Sequence, residues 1–160
     1  VAGALCANWL IRRMCKVALM KACALGIMLT NGVLFFIPSN AVELALVFTI
    51  LANFVHMVFT PLLFSTVPDT VDYGMKKLGQ SAMAMAFSGH LLMIKLGIAL
   101  GGAFTGWILA YSGYQANVVQ SETALAGILF LYSLSSVIAG LIVFICMQYY
   151  KLTQDFKETA

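Results

Sequence analysis

At 160 residues, 62% of them hydrophobic and 9% charged, the sequence has too few charges to coat a water-soluble globule, which is usually about a quarter charged. With a mean hydropathy of +0.96 it reads as an integral membrane protein, and as an all-α bundle, because a backbone in hydrocarbon must satisfy its own hydrogen bonds. The net charge of +3 follows membrane topology; the lipid bilayer is the expected partner, and nucleic acid is not.

The chain opens on Val1 inside an apolar run, with no initiator Met and no signal-peptide pattern, so a fragment of a longer protein is expected. Residues 1–10 read as the last half of a spanning helix, followed by the basic loop that holds Arg12, Arg13 and Lys16. A second helix is expected over residues 17–37, ending at Pro38-Ser39-Asn40, and a third over residues 41–66, stopping before Pro68. A loop with Asp69, Asp72 and the basic pair Lys76-Lys77 leads to a fourth helix over residues 81–111. A polar connection and a fifth helix over residues 123–150 follow, then a short tail, 151–160. Cys6, Cys15, Cys23 and Cys146 form no CxxC pair and lie in or beside apolar helices, so they read as small buried hydrophobes; no metal site is expected.

Lys and Arg in short loops stay preferentially on the cytoplasmic side. Arg12, Arg13, Lys16, Lys21, Lys76, Lys77, Lys151 and Lys157 all fall on one side of this plan, and the opposite connections hold no Lys or Arg. The carboxy terminus is therefore expected in the cytoplasm.

Lys95 stands 16 residues from both Gly79 and Tyr111, about 24 Å from either end at 1.5 Å per residue. A lysine stem cannot snorkel that far, and a lysine at a helix centre costs about 2.5–3.5 kcal/mol to insert. Intramembrane charges of this kind mark functional sites by default. Ser81, Ser88, Lys95 and Gly102 recur every seven residues, and Gly97, Gly101, Gly102 and Gly106 form two GxxxG patterns suited to close helix contact or plain packing. On the third helix Thr49, Asn53, His56 and Thr60 share one face, either as the wall of a water-filled cavity or as bonds to neighbouring helices. His90 is rotated well off the Lys95 face.

All six acids, Glu43, Asp69, Asp72, Glu122, Asp155 and Glu158, fall at membrane edges or beyond, so none can meet Lys95 at mid-depth. Its counter-ion must come from a missing part of the protein, a partner or an anionic substrate. Asp69 and Asp72 fall near the loop of Arg12, Arg13 and Lys16, as an ion-pair latch or as ordinary solvated ends. A lysine-linked chromophore or enzyme site has no general acid at mid-depth to support it, and no catalytic role is expected.

Pro-Asp-Thr-Val-Asp-Tyr-Gly at 68–74, Lys76-Lys77, Phe87-Ser88 through Lys95, the Gly113-Tyr114 turn and Asn117-Val-Val-Gln-Ser121 resemble the last helices of the glycoside-pentoside-hexuronide:cation symporter family. The resemblance implies a twelve-helix major-facilitator fold in a bacterial inner membrane, with this chain running from the end of helix eight through helix twelve. It implies cation-coupled sugar or glycoside transport, with Na⁺ or H⁺ bound mainly by the missing amino-terminal half and no other cofactor. Lys95 falls on the family's coupling lysine, whose acidic partners lie on helices absent here. His90 and Leu91 fall on sugar-site positions that are polar in melibiose-carrying members, and Thr60 falls where those members have a cavity tryptophan; Leu91 and Thr60 depart from that pattern, and Met75 replaces the acid that commonly follows Asp-Tyr-Gly in the family. Asn53, His56, Thr60, His90 and Lys95 are the expected binding and coupling residues, and Asp69, Asp72, Arg12 and Arg13 the expected gate. A membrane sensor that binds a sugar without carrying it is the rival reading.

Overall fold

The computed structural model describes residues 15–38, 40–79 and 82–150. Four helical spans are long and apolar enough to cross a membrane: α1 (Lys16–Phe36), α2 (Val42–Leu78), α3 (Met83–Tyr111), and a composite fourth. The fourth consists of α4 (Glu122–Leu129), a π turn (Phe130–Leu134) and α5 (Ser135–Gln148). No strand occurs among the described residues. The half-helix expected over residues 1–10, Arg12, Arg13, Ser81 and the tail 151–160 lie outside them.

The expected end of the third helix at residue 66 is corrected. α2 runs for 37 residues, through Pro61 and Pro68, to Leu78. Each proline deletes one amide donor, but in a membrane the surrounding turn can take up the loss through hydroxyl side chains. The Ser65 hydroxyl donates to the Leu62 carbonyl at 2.8 Å and that of Thr66 to Leu63 at 2.7 Å, adding bonds between the two prolines. The stop comes at Gly79, whose φ of 69° suits glycine and whose amide donates to the Met75 carbonyl. The acidic run 69–72 is thus helical, not a loop.

α1 is the centre of the bundle. Leu19, Met20, Cys23, Ala24, Ile27, Thr30, Asn31 and Leu34 are all buried along it, because α2 packs on one side and the composite span on the other. Leu19, Met20 and Cys23 meet Val58 and Leu62 of α2, with Val55, Phe59, Leu63 and Met147 around them. Lipid tails are as apolar as these side chains, so association rests on tight packing and satisfied polar groups and not on escape from water. Single glycines give the close approach: a Cβ added at Gly26 would meet Val55 at 3.3 Å, and one at Gly140 would meet Met28 Cγ at 2.8 Å and the Ala24 carbonyl oxygen at 3.3 Å.

A polar seam runs through the same packing. Thr30 donates to the Gly26 carbonyl at 2.7 Å and Asn31 to that of Ile27 at 2.9 Å. Ser133, fully buried in the π turn, donates to the Asn31 carbonyl across the helix interface. Of the cysteines, Cys23 is buried as expected; Cys15 and Cys146 are exposed, because they lie outside the α1 seam.

Aromatic residues mark the ends of the spans, as amphipathic rings do at membrane interfaces. Trp107 and Tyr111 stand out at one end and Tyr149 at the other. Four apolar spans with aromatic ends make this a multi-pass membrane protein.

The glycine contacts give the first prediction. Gly140→Ala forces Met28 and the α1 backbone apart and should destabilise the full-length protein by an amount in the overpacking range of about 1–3 kcal/mol. Gly32→Ala, whose Cβ would meet only Val137 at 3.9 Å, should melt like the parent. Thermal melting of the detergent-solubilised protein compares them, and equal stability of the two variants would contradict this account of the seam.

Candidate functional site

Lys95 lies 12 residues from Met83 and 16 from Tyr111 on α3, so its Cα sits about 18 Å and about 24 Å from the helix ends. It is exposed on a helix that has no buried residue at all, and it makes no hydrogen bond or ion pair among the described residues. Glu43 and Glu122 stand in the first turns of α2 and α4, and Asp69 and Asp72 near the far end of α2, all away from that depth. Gly97, Gly101, Gly102 and Gly106 have no described neighbour within 4 Å of an added Cβ. The close helix contact that their spacing permits is made with no described residue.

Thr49, Asn53, His56 and Thr60 line one face of α2, within an arc of about 60° at 100° per residue. Asn53, His56 and Thr60 are exposed. Their donors turn inward: Thr49 to the Ala45 carbonyl at 2.8 Å, Asn53 to Thr49 at 2.9 Å, Thr60 to His56 at 3.0 Å. Bonding i−4 carbonyls lets a helix carry hydroxyls and amides through hydrocarbon. It leaves the acceptor oxygens of Asn53 and Thr60 and the His56 ring facing outward, and neither Asn53 nor His56 bonds another described helix.

His90 reaches the foot of this stripe. Its ring packs edge-on against Phe64, centroids 5.0 Å apart at 80°, and Phe64 is one turn beyond Thr60 on the edge of the same face. The His90 Nε2 is buried without a hydrogen-bond partner. Five residues at 100° each turn Lys95 about 140° from the His90 direction. The bundle therefore brings His90 to Phe64, one turn beyond Thr60 on α2, and turns Lys95 away from that contact.

At the head of the stripe stands a residue that sequence reasoning missed. The Tyr132 hydroxyl, on the π turn, donates to Thr49 Oγ1 at 3.1 Å. The available signal was the polar interruption Ser133, Ser135 and Ser136 in an otherwise apolar span, matched by Thr30-Asn31 in α1.

At the basic end of the bundle, Lys16 Nζ grips both carboxylate oxygens of Asp69, at 2.9 and 2.8 Å. Lys21 Nζ donates to Gln148 Oε1 at 2.9 Å. The start of α1 is thus tied to the ends of α2 and α5. Asp72 is exposed, and the expected contacts of Arg12 and Arg13 lie outside the described residues. Among the described residues no three His, Cys, Asp or Glu side chains converge as metal ligands.

Comparison with known proteins matches residues 1–154 to the family described as MFS/sugar transport protein. The chain is 34% identical over 98% of its length to YagG of Escherichia coli (strain K12), named for glycoside/cation symport, and covers 34% of that protein. It is 35% identical over 79% of its length to the inner membrane symporter YicJ of the same organism, covering 28% of it. It is 29% identical over 76% of its length to the symporter YnaJ of Bacillus subtilis (strain 168), covering 26% of it. The chain spans about a third or less of the length of these relatives. No solved structure gives a significant match.

The Lys16–Asp69 pair gives the second prediction. With side chains 34% and 36% exposed, the bond should contribute only what partly solvated pairs do, about 0.2–1 kcal/mol. Lys16→Asp and Asp69→Lys should each lower the melting temperature of the full-length protein, and the double swap should regain part of the loss. A double-mutant cycle showing no coupling at low salt would remove this contact from the account of the basic end.

Proposed function

Because the chain belongs to the MFS/sugar transport protein family, as a major facilitator of the glycoside-pentoside-hexuronide:cation symporter type, we propose that it is the carboxy-terminal part of a cation-coupled sugar or glycoside symporter. The observation that carries this reading is Lys95: a charge at mid-depth, exposed, with no acid of the described chain in reach. A lysine held there against a cost of about 2.5–3.5 kcal/mol needs an anionic partner in at least one working state.

In this reading the partner is a carboxylate of the amino-terminal half, and the pair makes and breaks as sugar and cation load. Transport runs by rocking of two helical bundles around a midplane site. Asn53, His56, Thr60 and His90 form one wall of the sugar cleft. Their outward acceptors and the unpartnered His90 Nε2 suit a polyhydroxylated ligand, whose hydroxyls both donate and accept. The Na⁺ or H⁺ that drives uptake is held mainly outside this chain. Asp69 and Asp72, with Lys16, Arg12 and Arg13, form the inner gate, and the basic end faces the cytoplasm of a bacterial inner membrane.

A coupling free energy of about 1–3 kcal/mol corresponds to about 5- to 150-fold in linked affinity. Lys95→Leu in the full-length protein should therefore cut accumulation driven by an imposed Na⁺ or H⁺ gradient by at least the lower of these factors. Vesicle uptake of a labelled glycoside measures this, and normal accumulation by the variant would sink the central role of Lys95. Binding of a glycoside without counterflow by the parent protein would favour a sensor that keeps the fold.

A further inference from the structure

The Tyr132–Thr49 contact has no part in the reading above, and three observations bear on it. The first is depth. Tyr132 is ten residues into the span that starts at Glu122, about 15 Å along the helix and near the middle of a hydrocarbon core of about 30 Å. Tyrosines that anchor a protein at the membrane interface sit at headgroup level. Tyr132 does not, yet it is 51% exposed, so a polar ring tip at mid-depth is left open beside the α2 stripe.

The second observation is how the residue is presented. It occupies the middle of a π turn, and single π turns inside α-helices are frequent at functional sites. The widened turn puts Ser133 wholly into α1, where its hydroxyl bonds the Asn31 carbonyl. Its neighbour Tyr132 is thereby aimed at α2, so the phenol is held from behind by a buried bond on a rigid element.

The third is what the phenol touches. Thr49 already donates to the Ala45 carbonyl, so its oxygen serves Tyr132 purely as acceptor. Thr49 heads the face that continues through Asn53, His56 and Thr60 and ends at the Phe64–His90 contact. The stripe is thus bracketed: His90 of α3 at its foot, Tyr132 of the fourth span at its head.

We infer that the Tyr132–Thr49 hydroxyl pair is the outer subsite of the sugar cleft, holding one substrate hydroxyl. The inference rests on the transport reading and deepens it. The empty protein satisfies the phenol with Thr49. A substrate hydroxyl inserted between the two accepts from the Tyr132 hydroxyl and donates to the Thr49 oxygen, so that the one bond it replaces becomes two. Such a subsite reads the presence of one hydroxyl, because the analogue without it leaves Tyr132 on Thr49 and gains no bond to either.

The test uses the full-length protein in proteoliposomes, with radiolabelled methyl β-D-glucoside, methyl β-D-galactoside and methyl β-D-xyloside as probes. For the best-transported glycoside, Tyr132→Phe, which keeps the ring, and Thr49→Val, which keeps the shape, should each raise KM by about 3- to 10-fold, the loss of one hydrogen bond. Maximal rate should be unchanged, and the double variant should be no worse than either single one. Among monodeoxy analogues of that glycoside, one should show the raised KM with the parent protein and no further rise with Tyr132→Phe. An unchanged KM in Tyr132→Phe overturns the inference, as does a change confined to maximal rate or protein level, which is what a purely structural helix-to-helix bond would give. If Tyr132→Phe fails to reach the membrane, Thr49→Val decides alone by the same criterion. Failure of the parent protein to transport any glycoside would bring down the transport reading and this inference together, whereas transport with an unmoved KM brings down this inference only.

Discussion

Helices in lipid gain nothing from hiding apolar side chains from water, so this bundle depends on how closely α1 can be approached. Two contacts set that distance: Gly140 against Ala24 and Met28, and Gly26 against Val55. Once α2 and α5 are that close to α1, the polar atoms of Thr30, Asn31 and Ser133 are shut inside and must bond one another or the backbone, which they do. The Lys16–Asp69 and Lys21–Gln148 bonds close the basic end of the same three-helix unit. α3 stands outside it. With no buried residue, it touches α2 through Phe64 and His90 and the fourth span through Ser112, which faces Gly127, and most of its length is exposed among the described residues.

The spans themselves were legible, because an apolar run long enough to cross a bilayer is a property of composition alone. The end of α2 was not. Pro68 reads as a stop by the rules of water-soluble helices, but in a membrane the next turn resumes. Asp69 is carried on into the helix, where a lysine 53 residues earlier in the chain holds it. The π turn leaves even less trace, since a shift of hydrogen-bond register changes no residue type. The glycines were legible as a pattern and misleading as to place: the paired GxxxG spacings of α3 meet no described helix, while unpaired Gly26, Gly127 and Gly140 make the close approaches.

The same division runs through the candidate site. Asn53, His56 and Thr60 could be read from spacing because one helix carries them all. His90 against Phe64 and Tyr132 against Thr49, the latter 83 residues apart, could not, because their juxtaposition depends on how three spans are tilted and not on any local rule. What sequence reading treats as a stripe on one helix becomes, in three dimensions, a polar face that meets a different helix at each end.

The geometry of α3 sharpens what coupling would require. His90 and Lys95 are fixed on one helix about 140° apart, so the helix presents an imidazole to Phe64 of α2 and an ammonium away from it. A ligand on one side can change the state of the other only if the two conformations differ in their interaction free energy with it. Lys95 supplies a charge of adequate cost: inserting it at mid-helix takes about 2.5–3.5 kcal/mol, comparable to the about 1–3 kcal/mol that allosteric couplings span. A small turn of α3 about the Phe64–His90 contact would move His90 little and swing Lys95 through a wider arc, toward or away from a carboxylate on the facing bundle. Because no described side chain fills the space beside Gly97, Gly101, Gly102 and Gly106, the described bundle resists that turn through the Ser112–Gly127 contact at the helix end and not along the glycine face. The constraint on that face must come from the same partner that supplies the counter-charge, so in this scheme the sugar, the cation and the packing of α3 are read out through a single helix.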